Sequence, residues 1–423
     1  MSEAISPEWL ADDALQKLLA VLSSDGEEAR IAGGAVRNAL LGQPVADIDI
    51  AATTTPDETI RRASEAGFRT VPTGAEHGTI TVIAQGRAFE VTTLRADVET
   101  DGRHAKVVFG RDWRRDAERR DFTINALYMR ADGTVVDLVG GRADIEARIV
   151  RFIGDADARI REDYLRILRF FRFFAFYGKG RPDADGLRAC ARHKSGLSHL
   201  SAERVWSEFR RLLGASDPSR TLLWMRQAGV LSAILPESEK WGIDSIHALT
   251  RAEADLGWPA DPLMRLQAMV PPDAERMEAL AERLRMSNDE AARMVKWAQT
   301  PPMRPDMSER AFRQVLYVED RQGVTDRLQL AMSGARARAL EDDKALVEAG
   351  GYARLLKIAK TWERPIFPVK GGDLVAVGWQ KGPNLGATLR ALEEEWVSSD
   401  FTLQRGALLE RAAEMAEPQP GSS

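Results

Sequence analysis

Two aspartates in the stretch IAGGAVRNALLGQPVADIDIAA, residues 31–52, carry the strongest chemical signal in the chain. Side chains alternate faces along a strand. A strand through DID therefore projects Asp47 and Asp49 together and turns Ile48 and Ile50 toward a core. Carboxylates held side by side repel, and a bound divalent cation relieves that repulsion. Magnesium, a hard cation that takes oxygen ligands and substrate phosphates, is the natural candidate. Just upstream, Ile31 and Ala32 read as a strand, Gly33-Gly34 as a tight turn and the next residues as a short helix. The glycines let backbone amides approach an anion at the helix start. Arg37, one turn in, can reach the same anion with its guanidinium. A phosphate cradle followed by a metal pair points to chemistry on a nucleoside triphosphate. Each part alone is weak, since a lone DxD is more often a solvated strand end and a lone Gly-Gly only a turn. The signal lies in their order and proximity.

These residues need a scaffold. At 423 residues the chain exceeds one typical domain and can bury several cores. Its 44% hydrophobic and 29% charged content suits a soluble globular protein. A net charge of −5 gives no global basic signature, so nucleic acid would be held by local patches. The one cysteine, Cys190, excludes a disulfide framework and points to a reducing compartment. The start MSEAISPEWL lacks a secretory h-region, and no apolar run approaches the roughly 18 residues of a membrane span. A cytoplasmic protein with no membrane partner is expected. Residues 8–24 read as an amphipathic helix packing beside the first strand, through Leu10, Leu15, Leu18, Leu19 and Leu22. Strand patterns follow at 78–86, 88–94 and 133–139, and from about residue 140 the pattern is helical to the end. In AFEVTTL, Phe89, Val91 and Thr93 face one side and Glu90 and Thr92 the other. The Pro-rich breaks at 271–275 and 301–307 read as inter-helix loops.

GGAVR, LLG and DID, followed by EVTTLR (90–95), RRDFTINALY (119–128), EDYLRILRFFRF (162–173) and ERVWSE (203–208), resemble the signature of one family. It is the class II tRNA nucleotidyltransferase and bacterial poly(A) polymerase family, of the polymerase-beta-like superfamily. The resemblance is strong over about the first half of the chain and looser near 368–390. One departure stands out: Asn38 follows Val36-Arg37 where the family usually has Asp. The resemblance implies that Glu90 is a third carboxylate beside the DID strand; a solvated strand glutamate is the competing reading. It implies that 96–106 is a flexible loop linked to the switch from adding C to adding A, in keeping with that segment's lack of periodicity.

The helix expected over 162–178 is apolar nearly all round, the mark of a buried helix, with Gly178 as its stop. Arginines there need an anion or acceptor. Asp163, Arg166 and Arg169 follow at i, i+3 spacing, so neighbours share a face. An internal Asp–Arg salt bridge accounts for them structurally. A second account is chemical: a carboxylate only accepts and a guanidinium only donates. Side by side they match a base edge with an amino donor next to a ring-nitrogen acceptor, which cytosine and adenine both show. Uracil and guanine would leave polar groups unpaired at roughly 1–3 kcal/mol each. The resemblance assigns base reading to Asp163 and Arg166 and places Arg169 and Arg172 in the nucleotide pocket. Arg172, however, sits about half a turn round the helix from Asp163. Arg120 reads as a triphosphate contact, and Asp121 and Asn125 as ties from its loop to the next helix. The mixed-sign stretch 111–120 reads mostly as a solvated charged helix. Ser201 is a good N-cap, with Glu203 and Arg204 expected to form a helix-start salt bridge. Gly382-Pro383-Asn384 reads as a helix start.

The expected architecture is an α/β nucleotidyltransferase head with a mixed sheet (1–145), then an all-α neck (146–235), body (236–345) and tail (346–416), with a disordered C-terminus (417–423). The expected reaction is template-independent transfer from CTP and ATP to a tRNA 3′ end to build CCA. Two metals would serve it, held by Asp47, Asp49 and Glu90, with Gly34, Arg37 and Arg120 on the phosphates and pyrophosphate as the product. The rivals are a poly(A) polymerase, an enzyme adding only C or only A, and a non-catalytic RNA-binding module. Lack of a long basic tail opposes the polymerase, and intact Asp47 and Asp49 oppose the inactive module.

Overall fold

The computed structural model describes residues 4–74, 78–101, 104–239 and 243–415. The expected disordered tail at 417–423 lies outside them. Two compact units are present, Met1–Pro236 and Glu237–Ser423. The expected head and neck fall in the first, and the expected body and tail in the second.

The sheet of the first unit is built from β1 (Ala29–Ala32), β2 (Asp49–Ala52), β3 (Arg69–Gly74), β4 (Thr79–Ala84), β5 (Arg87–Thr93), β8 (Leu127–Met129) and β9 (Val135–Asp137). Among the described residues these seven strands run in the order β3-β4-β5-β2-β1-β8-β9. Only β2 and β5 are parallel neighbours, in a register that sets Asp49 opposite Glu90. A separate ribbon pairs β6 (Arg95–Asp101) with β7 (His104–Phe109). This corrects the expected irregular loop at 96–106. Antiparallel ladder pairing of residues 95–101 with 104–109 outweighs their poor periodicity.

Helices α1 (Asp13–Leu22), α2 (Gly34–Leu40) and α3 (Pro56–Glu65) accompany the sheet, and α1 buries Leu15, Leu18, Leu19 and Leu22 fully. Then come α4 (Trp113–Glu118), α5 (Gly141–Glu146), α6 (Ala156–Glu162), α7 (Leu165–Tyr177), α8 (Ala184–His193), α9 (Ala202–Leu213), α10 (Ser219–Gln227) and α11 (Val230–Ile234). Helix α7 buries Ile167, Leu168, Phe170, Phe171, Phe173 and Phe174. It stops at Gly178, but in extended backbone (φ −77°), without a left-handed cap. Glycine is needed there because a Cβ would sit 2.2 Å from the Phe174 ring. Ser201 caps α9 as expected, accepting from the Arg204 amide.

The second unit, in its described residues, is helical: α12 (Asp244–Leu256), α13 (Pro262–Gln267), α14 (Ala274–Arg283), α15 (Asn288–Gln299), α16 (Glu309–Val318), α17 (Arg321–Arg338), α18 (Asp343–Thr361), α19 (Gly371–Ala376), α20 (Pro383–Ser398) and α21 (Arg405–Glu414). One core joins Phe312, Leu316, Leu328 and Leu355, and another Leu374, Leu392, Trp396 and Leu408. Pro383 opens α20, the helix start expected at 382–384. Among the described residues no helix is long and apolar enough to cross a membrane.

Candidate active site

The DID alternation is present, with Ile48 and Ile50 buried (5% and 1% exposed) and Asp47 and Asp49 exposed. Ladder pairing starts only at Asp49, however, so Asp47 stands just before β2 and not within it. Asp49 is the electrostatically strained carboxylate. Loss of water against the surrounding walls raises its pKa, and the charges of Glu90 and Asp47 add to this, against Arg120.

A cavity of about 450 Å³ opens beside it, lined by Gly33, Gly34, Arg37, Asp49, Arg120, Asp121, Asn125, Asp163, Arg166, Arg169 and Phe173. Most of the residues singled out in the sequence therefore share one space. Glu90 does not line it. It lines an adjoining cavity of about 270 Å³, together with Asp49, Arg119 and Arg120. Asp47 lines neither.

Gly33 has φ +66°, and a Cβ on it would stand 3.2 Å from Arg120 Nη1. The turn thus lets the β1–α2 backbone meet that guanidinium. Arg120 is held by Asp116, which accepts from its Nη2 at 3.2 Å, and by the Asn125 carbonyl at 3.3 Å. Burial works against the Arg120 cation, yet Tyr128 and Asp116 outweigh it and hold its pKa above the ordinary value. Asp116 is 1% exposed and binds Arg119 and the Tyr128 hydroxyl as well. The expectation of a mostly solvated helix at 111–120 is corrected at this residue. Its signal was available: an Asp followed at i+3 and i+4 by arginines.

Arg37 is 7% exposed. Its guanidinium donates to Asn38 Oδ1 at 2.9 Å, Asn125 Oδ1 at 2.5 Å and the Tyr177 hydroxyl at 2.7 Å, and lies 4.0 Å over the Tyr177 ring. These acceptors are neutral. Burial lowers the pKa of Arg37 and nearby Arg172 adds to that, against the charges of Tyr177 and Asp121. Asn38, in place of the family Asp, keeps the hydrogen bond to Arg37 but contributes no counter-charge.

The base-reading pair needs the largest correction. Asp163 is not in the helix; it is the extended residue (φ −154°) between α6 and α7. Its Oδ1 accepts from the Leu165 amide at 3.0 Å and its Oδ2 from Arg204 Nη2 at 2.7 Å. Aspartate favours such capping positions over helix interiors. Arg166 donates to Glu162 at 2.5 Å and to the Arg159 carbonyl at 2.7 Å. The two side chains line one cavity with no bond between them, so the internal Asp163–Arg166 salt bridge is replaced by two outside partnerships. Arg204 likewise pairs across to Asp163 instead of with Glu203. Arg169 grips Asp121, which also accepts from Asn125 at 3.0 Å, tying the loop after α4 to α7 as expected. Arg172 points elsewhere, donating to Glu208 at 2.6 Å, and does not line the cavity. Its place round the helix is the reason. Tyr177, Arg204 and Glu208 were not foreseen as partners of the site, because these contacts join distant parts of the chain.

Sheet-borne carboxylates beside an arginine-lined cavity define a nucleotidyltransferase. Residues 29–151 match the poly A polymerase head domain, and residues 182–241 a domain described as "Probable RNA and SrmB- binding site of polymerase A". The chain is 36% identical to the Mus musculus CCA tRNA nucleotidyltransferase 1, mitochondrial, over 96% of its own length and 91% of the relative's. It is 32% identical to the Leuconostoc mesenteroides CCA-adding enzyme, over 96% of each chain. The crystal structure of the Bacillus stearothermophilus CCA-adding enzyme in complex with CTP aligns at a TM-score of 0.70 and 26% identity, over 97% of this chain and 98% of that one. The chain belongs to the CCA-adding tRNA nucleotidyltransferase family.

Proposed function

We propose that this nucleotidyltransferase builds the CCA end of tRNA, joining nucleotides from CTP and ATP to the RNA 3′ hydroxyl. The observation that carries the reading is the single cavity shared by Asp49, Arg37, Arg120, Asp163 and Arg166. The 3′ oxygen forms a bond to the α-phosphorus as the bond to the bridging oxygen of the β-phosphate breaks. Pyrophosphate leaves, and the hydroxyl proton passes to solvent. Arg37 and Arg120 hold the triphosphate, each oriented before substrate arrives by fixed protein partners. Asp163 and Arg166 read the base. Two of the roughly four lone-pair sites on a carboxylate are taken by Leu165 and Arg204, which leaves capacity for an amino group. Nη1 of Arg166 makes both of its bonds, so Nε and Nη2 remain for a ring nitrogen and its neighbour. Cytosine and adenine fit this pair; uracil and guanine set a carbonyl against Asp163. Arg169 holds Asp121 in the wall of the same cavity.

The donor set fits magnesium. The pKa of Asp49 is raised first by lost hydration and then by the charges of Glu90 and Asp47, and all three carboxylates offer hard oxygen. Among the described residues no group of three metal-ligating side chains is gathered. Magnesium takes one or two carboxylates and completes its shell with water and substrate phosphate. Asp49, with Asp47 or Glu90, would hold it, and in a two-metal arrangement such ions would supply hydroxyl activation and stabilisation of the leaving group.

The relatives' names favour CCA addition over a poly(A) polymerase. The test offers the purified chain a tRNA lacking its 3′ end, with CTP, ATP, both, UTP or GTP, and sequences the products. CCA from the mixture supports the reading. A long A-tract, or addition of C alone or A alone, overturns it.

A further inference from the structure

Two arginines with different proposed tasks, Arg120 on the triphosphate and Arg166 on the base, line one cavity from different elements. Arg159 of α6 touches the supports of both. It lines neither cavity of the site, and its side chain is only 12% exposed. Its Nη2 donates to the backbone carbonyl of Arg120 at 2.7 Å and also to that of Arg119. Its Nη1 donates to both carboxylate oxygens of Glu162, at 2.8 and 2.6 Å. Glu162 Oε2 accepts in turn from Arg166 Nη1 at 2.5 Å, and the Arg159 carbonyl accepts from that same nitrogen at 2.7 Å.

A guanidinium suits this position. It is planar, stays charged and offers five donors in a fixed fork, so its two terminal nitrogens can serve two sets of acceptors at once. Here one nitrogen takes the backbone that follows α4, and the other takes Glu162. The backbone carbonyls are neutral, so Glu162 is the carboxylate that Arg159 and Arg166 share. Burial and the Arg166 charge weigh against the Arg159 cation, and Glu162 supports it. The phosphate wall and the base wall of the cavity are therefore tied to each other through one side chain that stands outside it.

We propose that Arg159 is a positioning residue for nucleotide choice. It holds Arg120 and Arg166 at a fixed separation, so that a nucleotide whose triphosphate is seated also presents its base edge to Arg166 and Asp163. The proposal rests on the reading of this cavity as the nucleotide site. Arg159 itself touches no substrate; it acts through Glu162 and the Arg119–Arg120 backbone. Such ties matter because a misplacement of about 1 Å can cost on the order of a hundredfold in rate.

The test uses two variants of the full chain. The ammonium of Arg159→Lys cannot span both sets of acceptors, and Arg159→Met keeps an apolar stem without donors. Relative kcat/KM for CTP and UTP is measured on a tRNA transcript lacking its 3′ end. Inorganic tripolyphosphate, as an inhibitor competing with CTP, probes the phosphate side alone. Melting curves set a temperature at which every variant is folded. The preference for CTP over UTP should fall about tenfold in both variants, and tripolyphosphate should inhibit less well. Glu162→Gln breaks the base side only, so it should loosen the preference and keep the wild-type inhibition by tripolyphosphate. A wild-type preference that survives in both Arg159 variants overturns the proposal, and a lowered melting temperature beside it would mark Arg159 as a structural tie only. A wild type that does not prefer CTP to UTP would overturn the base reading itself, and the proposal with it.

Discussion

Asp49 is the carboxylate of the site whose charge is disfavoured, and this makes its role measurable without substrate. Its pKa is raised by lost hydration and by Glu90 and Asp47. A carboxyl raised on folding contributes stability that is present below its unfolded pKa and is lost as pH rises through the folded value. At neutral pH without metal, Asp49→Asn should therefore melt higher than the wild type, and the gain should vanish in acid below the ordinary carboxyl value of 3.8. The same variant, and Asp47→Ala, should abolish incorporation with RNA affinity nearly unchanged. Near wild-type turnover in either would remove the metal assignment. Base choice is also decided at this scale. In the proposed base reading, Asp163→Ala removes the group that would reject a carbonyl, so UTP and GTP should gain on CTP and ATP in relative kcat/KM, while total rate falls. If Asp163 served only as the partner of Arg204, the variant would melt lower with its nucleotide ranking intact. The four relative kcat/KM values separate the two roles.

Between elements, the Asp121–Arg169 pair fastens the loop after α4 to α7, with Asp121 at 9% residue exposure. Asp121→Ala removes the near partner of the Arg169 guanidinium and leaves Glu208 at 3.9 Å, and breaking such a buried pair costs about 3 kcal/mol, the low end of the range because Arg169 keeps that partner and contact with solvent. Burial raises the Asp121 carboxyl, but Arg169, Asn125 and the Phe122 amide hold it below its ordinary value. Its stabilisation is therefore present above that value and lost as pH falls through the lowered one. Denaturant unfolding of wild type and Asp121→Ala should differ at pH 7 and converge in strong acid; a constant gap would exclude the charge pairing. What the sequence made legible at this scale follows from periodicity. Alternation in AFEVTTL put Glu90 on the face opposite Phe89 and Val91, and the β2–β5 register sets it beside Asp49. The cap at Ser201 was equally local. Asp163 escaped because a helical spacing also fits a residue one step outside the helix, and only capping chemistry separates the two. Arg37 to Tyr177, 140 residues apart, and Arg204 to Asp163, 41 apart, are choices made by the fold, and no local spacing encodes them.

For the whole molecule, the net charge of −5 means that a polyanion the size of tRNA gains nothing from the average field. A grip on RNA must come from arginines and lysines gathered locally, each displacing counterions from a phosphate. The alternative is a grip through base and ribose contacts alone, which would release few ions. The two differ in salt dependence, because log affinity falls with log salt by about 0.9 per duplex phosphate neutralised. Even three such contacts give a slope near −2.7, or roughly fortyfold weaker binding between 50 and 200 mM salt. We expect the full chain with tRNA to show at least that slope in filter binding. A slope near zero would show that phosphates are not what holds the RNA.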